Sequence, residues 1–583
     1  MAEKKSIDLQ VFTRILRLAT PYKGIFIFSA GLAIFLAPLG ILRPYIINRM
    51  IDDHVVQYQM DGISTLLWIY FAVLLVTVLS RYFFIFYTNL LGQSVIRDLR
   101  DRVFRQINSL RLSYFDKTPI GTSTTRTIND IESVNTVFTQ GVITMVADIL
   151  GIIAVLVIMF ITSWRLSLIC LTTMPVLLIA TYVFKEKIKA AYQSVRTEIS
   201  KMNAFLQERI TGMRVIQIFN AEKQELKKFD EINDRYTSAN LRSITAYAIF
   251  FPVVELISAL SLALMVWWGA RGIITDDVSL GALIVFPLYL SMLFRPIRML
   301  ADKFNTLQMG MVAAERIFTI LDRDTYIEDE GTLAPEKLEG RVQFHDVGFA
   351  YDQHNYVLRD INFMIKPGET MAIVGSTGSG KTTIINVLNR FYEIQKGDIT
   401  IDGHSIREYT LASLRSRIAI VLQDVFLFTG TVLENIRLRD ESVSREAVIE
   451  AAKMIGAHAF IKQMPDGYDF VISERGNNLS MGQRQLISFV RALVFEPDIL
   501  ILDEATSSID TETEAVIQYA IEKLIDKRTS IIIAHRLSTI RHADNILVLD
   551  KGRVVEHGSH DTLLESEEGA YRRLYEMQFE EVG

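Results

Sequence analysis

The chain has 583 residues, half of them apolar, with a mean hydropathy of +0.25 and a formal net charge of −6. That length exceeds one ordinary domain and that apolar share exceeds what a water-soluble enzyme carries, so part of the chain is expected in a membrane. The mild acidity excludes a global basic surface for nucleic acid. The single cysteine, Cys170, lies in an apolar run and reads as a small buried hydrophobe, which excludes an intrachain disulfide and a cysteine-built metal site.

In chain order, residues 9 to 20 come first and interleave apolar with basic positions at helical spacing, the pattern of a helix lying in the membrane interface. Six apolar segments follow, at about 25–46, 65–88, 139–162, 166–184, 247–270 and 279–299. Each is near the roughly 20 residues that cross a hydrocarbon core as a helix. Lys4, Lys5, Arg14, Arg17 and Lys23 precede the first segment, and Arg97, Arg100, Arg102, Arg105 and Arg111 follow the second. The positive-inside rule makes those sides cytoplasmic. The short opposite loops carry Asp52, Asp53, Asp61, Asp276 and Asp277. Six spans then return the C-terminal part to the cytoplasm, in a multi-pass protein of a bacterial-type inner membrane.

Two cytoplasmic connections, residues 91–138 and 185–246, are long and keep helical spacing of apolar and charged positions. Each predicts two arms of about 30 to 45 Å at roughly 1.5 Å per residue. Their turns fall at 114–121 and 211–219. A polar, acidic stretch from Asp322 to Pro335 reads as a linker. The expected domains are therefore 1–319 in the membrane, a linker at 320–339, and a C-terminal domain at 340–583.

The C-terminal domain carries phosphate chemistry. Gly375-Ser376-Thr377-Gly378-Ser379-Gly380-Lys381-Thr382-Thr383 stands between a strand-like run at 371–374 and a helix-like run from Thr383 to Asn389. Glycines at a strand-to-helix turn aim backbone N–H groups at phosphate oxygens, and the helix N-terminus adds its positive dipole end. Lys381 then reaches the β- and γ-phosphates and the Thr382 hydroxyl reaches Mg²⁺. Further on, the apolar run Ile499 to Leu502 delivers Asp503 and Glu504 at a strand's C-terminal end, where open α/β sheets bind ligands. Asp503 suits a hard Mg²⁺ shell and Glu504 suits the base that orients the attacking water.

Leu479-Ser480-Met481-Gly482-Gln483 lies between these two motifs, and Tyr351, Gln423, Glu474, Asp510 and His535 are spaced around them. With these landmarks the chain resembles an ABC exporter half-transporter of the multidrug or lipid A type over nearly its whole length. The resemblance implies an α-helical membrane domain of six spans with long cytoplasmic extensions, followed by an α/β P-loop ABC ATPase domain. It makes Tyr351 the A-loop aromatic that stacks on adenine, Gln423 the Q-loop residue on Mg²⁺ or water, Ser480, Gly482 and Gln483 the signature motif, and Glu474 the X-loop acid. It makes Asp510 the D-loop aspartate and His535 the switch histidine, catalytic beside Glu504. The turns at 114–121 and 211–219 resemble coupling helices that dock on the ATPase domain.

One P-loop and one signature motif per chain imply, in this family, a dimer in which each signature closes over ATP held by the partner's P-loop. Met481 departs from the usual glycine of the signature. A homodimer that tolerates methionine is the expectation, and a heterodimer with one weakened site is the alternative. The implied function is ATP-driven export or flipping of hydrophobic or amphipathic drugs or lipids, with membrane lipids as neighbours and no nucleic-acid partner. An importer on the same fold and a nucleotide-gated channel or sensor are the alternatives. Ionisable groups in or near apolar spans mark the candidate substrate residues. Asp148 and Glu255 suit cationic amphiphiles, and Arg43 and Arg81 suit an anionic headgroup. Interhelical pairing and snorkelling are the structural alternatives for all four.

Overall fold

The computed structural model describes residues 9–59, 61–275, 277–323, 326–352, 354–438, 440–503, 511–534 and 540–576. These form two compact units. Residues 1–108 and 120–323 make the first, and residues 109–119 join residues 324–583 in the second.

The first unit is helical. Helix α1 (Leu9–Leu18) buries Ile15 and leaves its polar side exposed, as predicted for an interfacial helix. It leads into α2 (Lys23–Met50) and α3 (Ile63–Ser109). After α4 (Leu112–Lys117), the chain returns through α5 (Ile120–Thr125), α6 (Ile131–Thr136) and α7 (Ile143–Thr162), with π-helical turns at Arg126–Asp130 and Val137–Val142. The remaining helices are α8 (Trp164–Leu171), α9 (Met174–Thr211), α10 (Met213–Ile218), α11 (Glu222–Ile274) and α12 (Leu280–Leu321).

Among the described residues five helical stretches are long and apolar enough to cross a membrane: Thr20–Val55, Ile63–Ser109, Ile120–Thr162, Trp164–Thr211 and Glu222–Ile274. The sixth predicted span falls on a shorter apolar stretch, Leu280–Pro296 of α12. Trp68, Phe71, Val78 and Tyr82 stand exposed along α3, as side chains that face lipid must. Pro38 and Pro44 in α2, Pro252 in α11, and Pro287 and Pro296 in α12 do not end their helices, because neighbouring helices in a bundle can satisfy the freed carbonyls.

Both predicted pairs of arms form. Helices α9 and α11 run beside each other, joined by Phe184 stacked on Phe250 at 4.0 Å, a Tyr192–Tyr247 hydroxyl contact at 3.0 Å and the Arg209–Glu225 ion pair. On the other side Leu91, Val95, Leu99 and Val103 of α3 share a core with Ile131, Val134 and Phe138, and with Leu307, Met311 and Ile317 of α12. Gly310 of α12 sits where a Cβ would lie 2.2 Å from Val137 Cγ2 and 2.9 Å from the Ser133 carbonyl, so only glycine admits this crossing.

The second unit holds two sheets. Strands β1 (Val342–Ala350), β2 (Tyr356–Ile365), β4 (Lys396–Ile401) and β5 (His404–Ser405) form an antiparallel sheet in the order β2-β1-β4-β5. Strands β3 (Thr370–Gly375), β6 (Ile418–Val421), β9 (Ile499–Asp503), β10 (Thr529–Ile533), β11 (Asn545–Asp550) and β12 (Arg553–Gly558) form a six-stranded sheet in the order β12-β11-β3-β10-β9-β6. All but its β12 edge pair is parallel. The central strands are continuous apolar runs, buried on both faces as parallel strands are, which confirms the runs read at 371–374 and 499–502. A small pair, β7 (Gly430–Thr431) with β8 (Val471–Ile472), accompanies a helical part.

Candidate nucleotide site

Registry sets the site. Ile533 pairs with both Ile373 and Asp503, and Val421 with Leu502, so β3, β10, β9 and β6 end along one edge of the sheet. That C-terminal edge is where open α/β sheets bind ligands.

At the end of β3, Gly375, Gly378 and Gly380 take φ values of +153°, +83° and +107° before α13 (Lys381–Leu388) begins. A Cβ on Gly375 would lie 2.2 Å from the Leu549 carbonyl oxygen, so the tight turn requires glycine. Lys381 is buried and donates to the carbonyls of Gly375 at 2.8 Å and Ser376 at 3.0 Å. Burial pushes its ammonium pKa down, and the Asp503 carboxylate pushes it back up. Ser376, Thr377, Gly378 and Thr382 are exposed around the loop. Ser379 Oγ is buried with no hydrogen-bond partner among the described residues. An orphaned hydroxyl beside a buried lysine, under a loop of left-handed glycines, fits a triphosphate.

Asp503 ends β9 half-buried, and Gln423 follows β6 on the exposed side of the same edge. Thr382, Asp503 and Gln423 offer the hard oxygens that suit Mg²⁺ held together with phosphates, and among the described residues no group of three or more His, Cys, Asp or Glu forms a metal site by itself. Glu504, Asp510 and His535 lie outside the described residues.

Tyr351 directly follows β1. Its hydroxyl meets Thr383 Oγ1 at 3.2 Å and accepts from Asn386 Nδ2 at 3.4 Å, while Phe349 and Tyr392 contact its ring edge-on at 4.8 Å and 5.0 Å. The buried Thr383 thus serves Tyr351 in this structure. Tyr351 is 40% exposed, which leaves area for a flat base.

The signature residues have a second job. Ser480 is the N-cap of α14 (Met481–Val494): its hydroxyl accepts from the Gln483 N–H at 3.2 Å, and Gln483 Oε1 accepts from the Ser480 N–H at 3.0 Å. This capping box leaves the Ser480 hydroxyl proton free to donate and turns the Gln483 side chain inward. Gly482 is buried, Met481 half-buried, and Glu474 exposed on a short 3₁₀ turn. Ser480→Ala is expected to lower the thermal stability of the purified protein by about 1 kcal/mol through the lost cap, before any effect on turnover. An unchanged melting temperature would contradict the capping role.

Residues that sequence reasoning missed also belong here. Arg491 on α14 donates to the carbonyls of Asn435 at 2.9 Å and Phe426 at 3.3 Å, tying the signature helix to the segment after Gln423. Burial pushes its pKa down. Tyr392 was missed as well, and no local pattern marks it or Arg491, whereas Asp116 falls within the turn at 114–121 that resembles a coupling helix.

Of the candidate substrate residues, Asp148 forms an ion pair with Lys303 of α12. Arg43 donates to the Tyr70 hydroxyl at 3.1 Å. Glu255 and Arg81 are exposed on α11 and α3, and among the described residues neither has an ion-pair partner. The structure does not bring the four together.

Comparison with known families matches residues 26–297 to the ABC transporter transmembrane region and residues 358–507 to the ABC transporter family. The chain belongs to the ABC transporter family. An ATP-dependent lipid A-core flippase of Syntrophus aciditrophicus is 36% identical over 98% of this ABC transporter and 95% of its own length. A probable multidrug resistance ABC transporter ATP-binding/permease protein of Bacillus subtilis is 38% identical over 92% and 80%. An uncharacterized ABC transporter ATP-binding protein of the same organism is 43% identical over 84% and 81%. This ABC transporter is an exporter half-transporter, a multi-pass membrane protein with one membrane region and one ATPase domain, and it couples ATP hydrolysis to transport.

Proposed function

We propose that this half-transporter works as a homodimer that flips or exports lipids or amphipathic drugs from the cytoplasmic side of a bacterial inner membrane. The observation that carries it is residues 109–119. They connect the second and third spans, yet they fold with the ATPase unit: Arg111 Nε donates to the Tyr326 carbonyl at 2.7 Å, and the Tyr392 hydroxyl donates to Asp116. A membrane-helix connection built into the ATPase unit is the part a transport engine needs. The names of the lipid A-core flippase and the multidrug relative support the substrate class.

Two observations support a dimer. The end of the second arm pair exposes Ile210, Val215, Ile218 and Phe219, an apolar tip around α10 that a second chain would cover. Among the described residues no hydrogen bond or ion pair joins Ser480–Gln483 to the loop at 375–383. In the proposed cycle Lys381 holds the β- and γ-phosphates, and Thr382, Asp503 and Gln423 would hold Mg²⁺, which would screen the phosphate charge. The free Ser480 proton donates to the γ-phosphate on the partner chain. Tyr351 stacks on adenine, Glu504 orients the water, and His535 senses the γ-phosphate. Dimer closure swings the arms and turns the cavity outward.

The test is ATP-driven accumulation in inverted vesicles, with labelled lipids and cationic drugs presented in parallel to the chain expressed alone. Uptake that needs hydrolysable ATP is expected for at least one class. Transport in the opposite direction would overturn the export reading, and no ATP-hydrolysing dimer from the chain alone would overturn the homodimer.

A further inference from the structure

The adenine platform proposed for Tyr351 is braced from an unexpected side. Tyr351 is fixed at its hydroxyl by Thr383 and Asn386 of the P-loop helix, and at its ring edge by Phe349 and Tyr392. Tyr392 also packs edge-on against Phe349 at 5.7 Å, so the three rings support one another. Its hydroxyl donates to a carboxylate oxygen of Asp116 on α4. A phenol–carboxylate bond is charge-assisted and directional, so it orients the ring as well as tethering it. Burial, with Asp116 beside it, pushes the Tyr392 phenol pKa further up, which keeps the hydroxyl a donor at every physiological pH.

The loop that carries Tyr392 cannot drift to compensate. Arg390 takes a left-handed φ of +49° and buries its guanidinium, which donates to Glu393 at 3.0 Å and to the carbonyls of Ile406 at 3.3 Å and Glu328 at 3.2 Å. Asp116 is different, because α4 is continuous in sequence with the membrane helices on both sides. It is also held by Arg111 to the Tyr326 carbonyl and by the buried Tyr114. The movable support of the ring ladder is therefore the one that belongs to the membrane-helix connection.

We propose that Tyr392 is a positioning residue through which Asp116 of the connection between the second and third spans aligns Tyr351 for the nucleotide base. By linkage, base binding at Tyr351 then favours the same placement of α4, so the base is read by the transport machinery separately from the phosphates. This rests on Tyr351 being the base platform, and the experiment separates the two ideas.

Tyr392→Phe removes the donor while keeping the ring, and Asp116→Ala removes the acceptor. The purified dimer of each variant is titrated with ATP and with inorganic tripolyphosphate, which has the phosphates but no base. ATP binding is expected to weaken about three- to tenfold, the equivalent of one hydrogen bond, with tripolyphosphate binding within about twofold. The double variant is expected to be no worse than either single one, because both remove the same interaction. A general structural defect would weaken both ligands equally. Unchanged ATP affinity in both variants, equal loss of both ligands, or additive losses would each overturn the proposal. Tyr351→Leu is the control: if it weakens ATP alone while the other two variants do nothing, the platform stands and the ladder falls, and if it leaves ATP unchanged, both fall.

Discussion

Glu504→Gln is expected to lower steady-state ATP hydrolysis by about 10²- to 10³-fold while ATP binding stays within about twofold. The buried run Ile499 to Leu502 of β9 brings Asp503 to the ligand edge of the sheet, with Glu504 next in sequence. Glutamine keeps size and polarity but cannot accept the water's proton, so ground-state contacts survive and the chemical step does not. Phosphate release by the purified dimer, set against nucleotide binding, measures the split. Brisk hydrolysis in the variant would remove Glu504 from the mechanism.

Lys381→Met has two effects of opposite sign. ATP affinity is expected to fall by about 10²-fold or more, because the variant loses the buried cation proposed to hold the phosphates. Without nucleotide, however, the variant is expected to melt at the same temperature as the parent or slightly above it. The Lys381 ammonium is buried against two carbonyls, and burial already disfavours its charge. A neutral side chain of similar length relieves that cost. The variant should also lose the rise in melting temperature that ATP confers on the parent. A large drop in stability without nucleotide would show that Lys381 is a structural strut.

The parts legible in the sequence are those whose physics is local. Six apolar runs, basic flanks and glycine-rich turns are each visible within 20 residues or so, and five spans, both arm pairs and the P-loop stand where they were read. The antiparallel sheet was missed because its alternation is broken. The β1–β2 register slips between Phe344 and Val347 and again on either side of Phe349, and Asp346 and Asp360 take left-handed φ values. The π-helical turns around α6 carry no glycine or proline cue at their starts. At the site, Ser480 and Gln483 stand at the spacing of a capping box, a signal that is legible in the sequence alone. Asp116 and Tyr392 are 276 residues apart, so no window along the chain joins them. Asp148 shows the same limit, since its partner Lys303 lies on another helix. Glu504, Asp510 and His535 rest on sequence alone.

The central claim is that each ATP site is shared between two chains, Lys381 from one and Ser480 from the other. Co-assembling a Lys381→Met chain with a Ser480→Arg chain tests it through vanadate-dependent nucleotide trapping. Neither variant alone should trap nucleotide, since every site in either homodimer carries a defect. The mixed dimer has one doubly damaged site and one intact site, so trapping is expected to return in the mixture. Absence of trapping in a verified mixed dimer would contradict the shared site.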